Sequence, residues 1–201
     1  MLTKKQKFYL FWKRCIDLFG SILGITLLSP VLLICAIVTK CTSKGPVFFK
    51  QKRFGRNERP FTILKFRSMK YDAPQVGAES MTPEEQAALF TKWGKFMRKT
   101  SLDEFPQLFN IFVGQMSFIG PRPCMIENSD ELTKARESVN PSPYLVKPGL
   151  SGYAQIHLHR EHDPMKKAEA DAYYVGHFSF WMDVKLFFAS IFGVFGEDKG
   201  R

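Results

Sequence analysis

Two acidic residues stand side by side at Asp103-Glu104, within the run Ser101-Leu102-Asp103-Glu104-Phe105-Pro106. One reading is structural. Ser101 caps a helix, Glu104 completes an S-x-x-E capping box, and Asp103 complements the helix dipole. The same spacing also suits phosphate chemistry. A helix N-terminus gathers phosphate, and two carboxylates there can divide the labour. One attacks phosphorus while the other holds a divalent cation against the phosphates. Pro106 distorts a first helical turn, which a simple cap does not require.

Candidate cations accompany the pair. Gly120-Pro121-Arg122-Pro123 holds the Arg122 guanidinium between two residues of fixed φ, either as an exposed turn or as a pre-oriented fork for phosphate oxygens. Lys65 and Arg67 alternate along one face of a predicted strand, giving an edge that faces solvent or a two-cation phosphate grip. His157-Leu158-His159-Arg160-Glu161-His162 has metal-ligand types, but H-x-H with a third histidine is weak as a metal motif. The sequence has no Walker A loop, G-x-G-x-x-G or H-E-x-x-H.

Several elements must position these groups. Val47–Gln51 and Phe61–Phe66 read as two short strands of a hairpin, joined by the polar loop Lys52–Pro60. Thr82-Pro83-Glu84-Glu85 opens a helix that runs to about Met97. A second helix starts at Ser101, and 118–124 forms a rigid loop. Asp130–Glu137 and Asp163–Val175 read as helices, with Pro- and Gly-rich chain over 140–151 between them. His177–Phe195 carries seven Phe or Trp residues and only Asp183 and Lys185 as charges. That pattern suits a helix at a bilayer interface, with an ordinary core helix as the alternative.

Leu18–Val38 is a 21-residue run without a charge. It is long enough to span a bilayer. No small-residue cleavage site follows it, so it is not read as a signal peptide. Ser29-Pro30 interrupts it, and basic residues flank both ends: Lys4, Lys5, Lys7, Lys13 and Arg14 before it, and Lys40, Lys44 and Lys50 after it. Composition alone leaves a spanning helix and a re-entrant one equally open.

The chain has 201 residues, 45% of them hydrophobic, with a net charge of +10. That excludes disorder and low complexity and points to a polyanionic partner. Residues 40–70 hold ten basic residues against one acid, Glu58. This patch directly follows the apolar run, so its anionic partner is expected at a membrane surface. Cys15, Cys35, Cys41 and Cys124 match no zinc or redox spacing, and reduced thiols in a cytoplasmic setting are expected.

With these residues in view, the chain resembles the monotopic phosphoglycosyl transferases of bacteria, also called bacterial sugar transferases. The similarity rests on KRCIDLFGSILGITLLSP (13–30), GPVFFKQKRFG (45–55), ILKFRSM (63–69), TSLDEFPQLFNIFVGQMSFIGPRP (100–123) and KPGLSGYAQI (147–156). It looks like the small form that carries the catalytic core alone. The residues and the resemblance together predict a mainly helical α+β single domain over 1–201. Its parts would be a basic lead-in (1–14), a re-entrant membrane helix broken at Ser29-Pro30 (15–40), a cytoplasmic catalytic part with a small β-hairpin (41–176) and an aromatic interfacial helix (177–195).

The implied reaction moves a phosphosugar from a UDP-sugar to polyprenyl phosphate, releasing UMP, at the cytoplasmic face of the bacterial inner membrane. Asp103 would be the nucleophile and Glu104, with Asp103, the magnesium site. Lys65, Arg67, Arg98, Arg122 and Arg160 would handle phosphates. Lys13, Arg14, Ser29 and Pro30 would meet lipid or membrane. One departure stands out. The family often reads A-Q-V-N-G-R where this chain has Ala154-Gln155-Ile156-His157-Leu158-His159-Arg160. The competing reading is a non-catalytic membrane-surface adaptor. No nucleic-acid module is recognisable, and a homodimer is left open.

Overall fold

The computed structural model describes residues 2–70, 88–126, 131–159 and 161–196. The expected helix start at Thr82 lies outside them. Helix α1 (Lys4–Thr42) runs without interruption through Pro30, so the break expected at Ser29-Pro30 does not divide it, and it is closed at its N-terminus by a Thr3–Gln6 capping box. The expected lead-in is therefore the first turns of the same helix. Its apolar periodicity simply begins before residue 15, with Phe8, Leu10 and Phe11.

The polarity of α1 is inverted relative to a soluble helix. Its buried residues are Gln6, Lys13, Asp17, Ser21, Cys35 and Thr39. Its exposed face carries Phe19 at 81% and Leu27 at 68%, with Ile22, Leu23, Leu33, Ile34 and Ile37. A helix that turns its polar stripe inward and its apolar face outward expects a non-aqueous neighbour.

Contacts with the body of the protein run along its whole length. Gln6 donates to the Val175 carbonyl at 3.0 Å. Asp17 accepts from Ser117 Oγ at 3.0 Å and from the Phe118 amide at 3.1 Å. Ile25 and Leu28 pack on the Leu108–Ile111 cluster. Past Pro30, Val31 and Leu32 pack with Phe66 and Met97.

Strands β1 (Phe48–Phe54) and β2 (Pro60–Phe66) form an antiparallel hairpin in register Phe48↔Phe66 to Phe54↔Pro60. The strands extend into the expected polar loop, because Asn57 and Glu58 both take positive φ and close the turn within a few residues. Helix α2 (Lys92–Lys99) is capped by Thr91, whose hydroxyl accepts from the Gly94 amide at 2.8 Å.

Ser101 does not cap an α-helix, and its side chain makes no capping hydrogen bond. It takes a left-handed conformation (φ 57°), and Leu102–Glu104 forms a 3₁₀ turn instead. Helix α3 (Gln107–Phe112) begins only after Pro106. The proline at that position is what delays it.

Strands β3 (Ser117–Ile119) and β4 (Gly149–Ser151) pair in parallel. Helices α4 (Glu131–Ser138), α5 (Tyr153–His157), α6 (Pro164–His177) and α7 (Phe180–Gly196) complete the described chain. The main C-terminal cluster joins Ile119, Val146, Tyr174, Val175, Phe178 and Leu186. All four cysteines are free.

Candidate active site

Asp103 lies on the 3₁₀ turn with 9% of its surface exposed, and its neighbour Glu104 is half-buried. Burial, reinforced by the like charge of Glu104, raises the Asp103 carboxyl above its ordinary range, while Lys65 and Arg98 pull it back down. The expected complement to a helix dipole does not arise here. No α-helix starts at this carboxylate, so the dipole that would favour its charge is missing.

Lys65 reaches across from β2 and donates to Glu104 Oε1 at 2.7 Å. Its side chain and that of Glu104 keep 18% and 27% exposure, so both remain reachable from solvent. Lys65, Glu104 and Arg122 line one narrow cleft together with Arg53, Gln107 and Gln155. Arg122 is exposed.

Its loop is held from behind. The buried Arg136 guanidinium pairs with Asp171 and donates to the Arg122 carbonyl at 2.8 Å. Gly120 and Gly149 let the two loops touch backbone to backbone. A Cβ on Gly120 would meet the Lys147 carbonyl and the Gly149 nitrogen. Arg98 sits in the last turn of α2 with its guanidinium 4.7 Å from the centre of the Phe90 ring.

The remaining expected residues fall elsewhere. Arg67 follows the end of β2, where the alternation stops. It is buried and donates to the Ser43 carbonyl at 2.7 Å, so it does not share the cleft with Lys65. Lys13 is buried against Asp183 rather than offered to a membrane, and Asp183 also accepts from Tyr9 and Tyr174. Arg14 donates to the Ile111 and Phe112 carbonyls at 2.7 Å each, satisfying the end of α3. Ser29 Oγ donates to the Thr26 carbonyl at 2.8 Å, beside Pro30 inside the helix. Arg160 lies outside the described residues.

His157 turns away from the cleft. It stacks on Tyr153, one turn back on the same helix, and Tyr153 packs on Tyr173, which stacks on His177. Gln155, on the other side of α5, faces the cleft instead. Sequence reasoning did not single out Arg53, Gln107 or Gln155. Their signal was their place inside the matching blocks at 45–55, 100–123 and 147–156, with Arg53 also in the basic stretch 40–70.

Among the described residues no group of three or more His, Cys, Asp or Glu converges on a metal position. Two adjacent carboxylates nevertheless fit a hard divalent cation that takes its other ligands from phosphate and water.

Comparison with known proteins places these features in context. A family model described as bacterial sugar transferase matches residues 8–197. The UDP-glucose:undecaprenyl-phosphate glucose-1-phosphate transferase of Klebsiella pneumoniae is 39% identical over 186 residues, covering 90% of this chain and 39% of the relative. The UDP-N-acetylgalactosamine-undecaprenyl-phosphate N-acetylgalactosaminephosphotransferase of Aeromonas hydrophila is 38% identical, covering 91% of this chain and 43% of its own. The chain thus spans about two fifths of the length of these relatives. The exopolysaccharide production protein PSS of Rhizobium leguminosarum bv. phaseoli is 36% identical over 196 residues, covering 94% of this chain and 97% of the relative.

Proposed function

Since the chain belongs to the bacterial sugar transferase family, we propose that it moves a sugar phosphate from a UDP-sugar to polyprenyl phosphate at a membrane surface. The observation that carries this reading is the buried Asp103 carboxylate beside a Glu104–Lys65 pair that shares its cleft with the exposed Arg122. An adaptor that only docks lipid needs no such arrangement. Every participant in the reaction is anionic, which gives the +10 chain a use.

The chemistry runs in two displacements. Asp103 attacks the sugar-bearing phosphorus of the UDP-sugar, the bond from that phosphorus to the UMP oxygen breaks, and UMP leaves. An oxygen of the lipid phosphate then attacks the acyl phosphate, breaks the aspartyl oxygen–phosphorus bond and restores the carboxylate. Lys65 and Arg122 hold phosphate oxygens and screen the like charge that would keep a carboxylate away. Burial raises the Asp103 carboxyl, which strengthens the oxygen as a nucleophile once ionised, and Lys65 and Arg98 keep the ionised form accessible. Glu104 with Asp103 would hold magnesium, which supplies charge neutralisation on the diphosphate.

The membrane arrangement belongs to the same proposal. A 39-residue helix is about 58 Å long at 1.5 Å per residue, twice the thickness of a hydrocarbon core of roughly 30 Å. Both halves of α1 are bound to the same body, at Gln6 and Asp17 on one side of Pro30 and at Cys35 and Thr39 on the other. A helix that crossed the bilayer would carry one end away from that body. We read α1 as a shallow re-entrant element at the cytoplasmic leaflet, with the apolar face in lipid. The exposed Trp181, Phe188 and Phe192 of α7 lie at the interface.

The deciding experiment incubates the purified protein with polyprenyl phosphate, magnesium and a panel of UDP-sugars. UMP release that requires both lipid and nucleotide sugar is expected. No release from any UDP-sugar by protein that binds membranes would favour the adaptor.

A further inference from the structure

We propose that Asn110 is a positioning residue that pins Lys65 against the acidic pair; the role in turnover rests on the reaction proposed above. Asn110 lies on α3, seven residues beyond Asp103, and is 2% exposed. Its carboxamide completes the free edge of β2. Oδ1 accepts from the Leu64 amide at 3.0 Å. Nδ2 donates to the Thr62 carbonyl at 2.8 Å and to Gln115 Oε1 at 2.7 Å. The other edge of β2 pairs with β1. One side chain therefore acts as the third strand of the hairpin, at the two hydrogen-bonding positions directly before Lys65.

The consequence is geometric. Lys65 comes from the hairpin, while Asp103 and Glu104 come from the turn that leads into α3. These elements also share an apolar contact of Phe61 and Ile63 with Leu108 and Ile111. Apolar contact is non-directional and tolerates sliding. The paired amide bonds are directional and break over a fraction of an ångström. They set how far Lys65 stands from Glu104, now 2.7 Å. A shift of about 1 Å in a phosphate-handling cation costs on the order of 100-fold in rate.

Two measurements test this in the whole protein. Asn110→Asp keeps an acceptor for the Leu64 amide but loses both donor bonds. Asn110→Ser serves if the aspartate variant does not fold, as judged by cooperative melting. First, a water-soluble carbodiimide joins the Lys65 amine to the Glu104 carboxyl only when they touch. The cross-linked peptide is expected in the native protein and reduced at least fivefold in the variant. Second, the variant is expected to lower the rate of UMP release about 10- to 100-fold, but less than threefold when Lys65→Met is already present. A structural defect unrelated to Lys65 would instead multiply with Lys65→Met and leave the cross-link intact. An unchanged cross-link, an unchanged rate or a multiplicative effect each overturns the proposal. A native protein that forms the cross-link yet releases no UMP from any UDP-sugar counts against the reaction, while the cross-link yield still decides the role of Asn110.

Discussion

At the scale of single residues, the site depends on an acid that is difficult to ionise being helped by cations. Burial and Glu104 raise the Asp103 carboxyl, and Lys65 and Arg98 oppose them. The nucleophile must be charged, so the acid limb of the rate profile is expected above the ordinary aspartate range near pH 3.8. Removing a cation that favours the charged form raises the carboxyl further. Arg98→Met should therefore move the acid limb of kcat/KM to higher pH, and an unmoved limb would separate Asp103 from that titration. For stability the sign is opposite to that of a salt-bridged aspartate. A raised native value means the proton is held more tightly when folded, so this residue disfavours folding as pH climbs past its unfolded range. Asp103→Asn should then melt within about 1 kcal/mol of the native protein. It should also be inactive, and a radiolabelled UDP-sugar that marks the native chain in the absence of lipid should leave it unmarked. Glu104→Gln should raise the magnesium concentration needed for half-maximal rate, since one of two carboxylates is lost.

At the scale of elements, two loops and a hairpin converge, and each is held by something other than its own propensity. The Arg122 loop is pressed against the Gly149 loop and clamped from below by Arg136. Asp171 shares that buried guanidinium from α6. Asp171→Leu leaves a cation buried without its partner and is expected to destabilise by roughly 3–5 kcal/mol. Adding Arg136→Met should recover much of that stability but not the rate, because Arg122 would lose its anchor. Full recovery of rate in the double variant would show that the clamp does not orient the loop. Gly120→Ala should impair rate and stability together, since a Cβ there meets backbone that cannot yield.

At the scale of the whole molecule, α1 organises the rest. Its polar stripe docks to the body through Gln6, Lys13 and Asp17, and its apolar face is left outside. The two ends are expected on one side of the membrane. Single cysteines placed at Lys4 and at Lys44 in a background without other cysteines should be equally protected from an impermeant reagent added to intact cells. Selective labelling at position 4 from outside would mean that α1 crosses.

Composition, charge placement and local pattern were enough for some of this. The 21-residue uncharged run, the basic stretch after it, the hairpin and the Asp103-Glu104 pair are all visible in the chain, because they depend on neighbours within a few residues. Tertiary structure decided the rest. Lys13 reads as a surface cation until Asp183, 170 residues away, is seen to bury it. Arg67 reads as a partner of Lys65 until the strand ends at Phe66 and turns it toward Ser43. Ser101 reads as the cap of an α-helix until its left-handed backbone shows that only a 3₁₀ turn follows it. Asn110 gives no sign in the sequence, since its partners lie 46 and 48 residues away on β2. Local pattern sets which groups are available and which face they occupy. Long-range packing sets which of them meet, and hence the protonation of Asp103, whose shift comes first from burial.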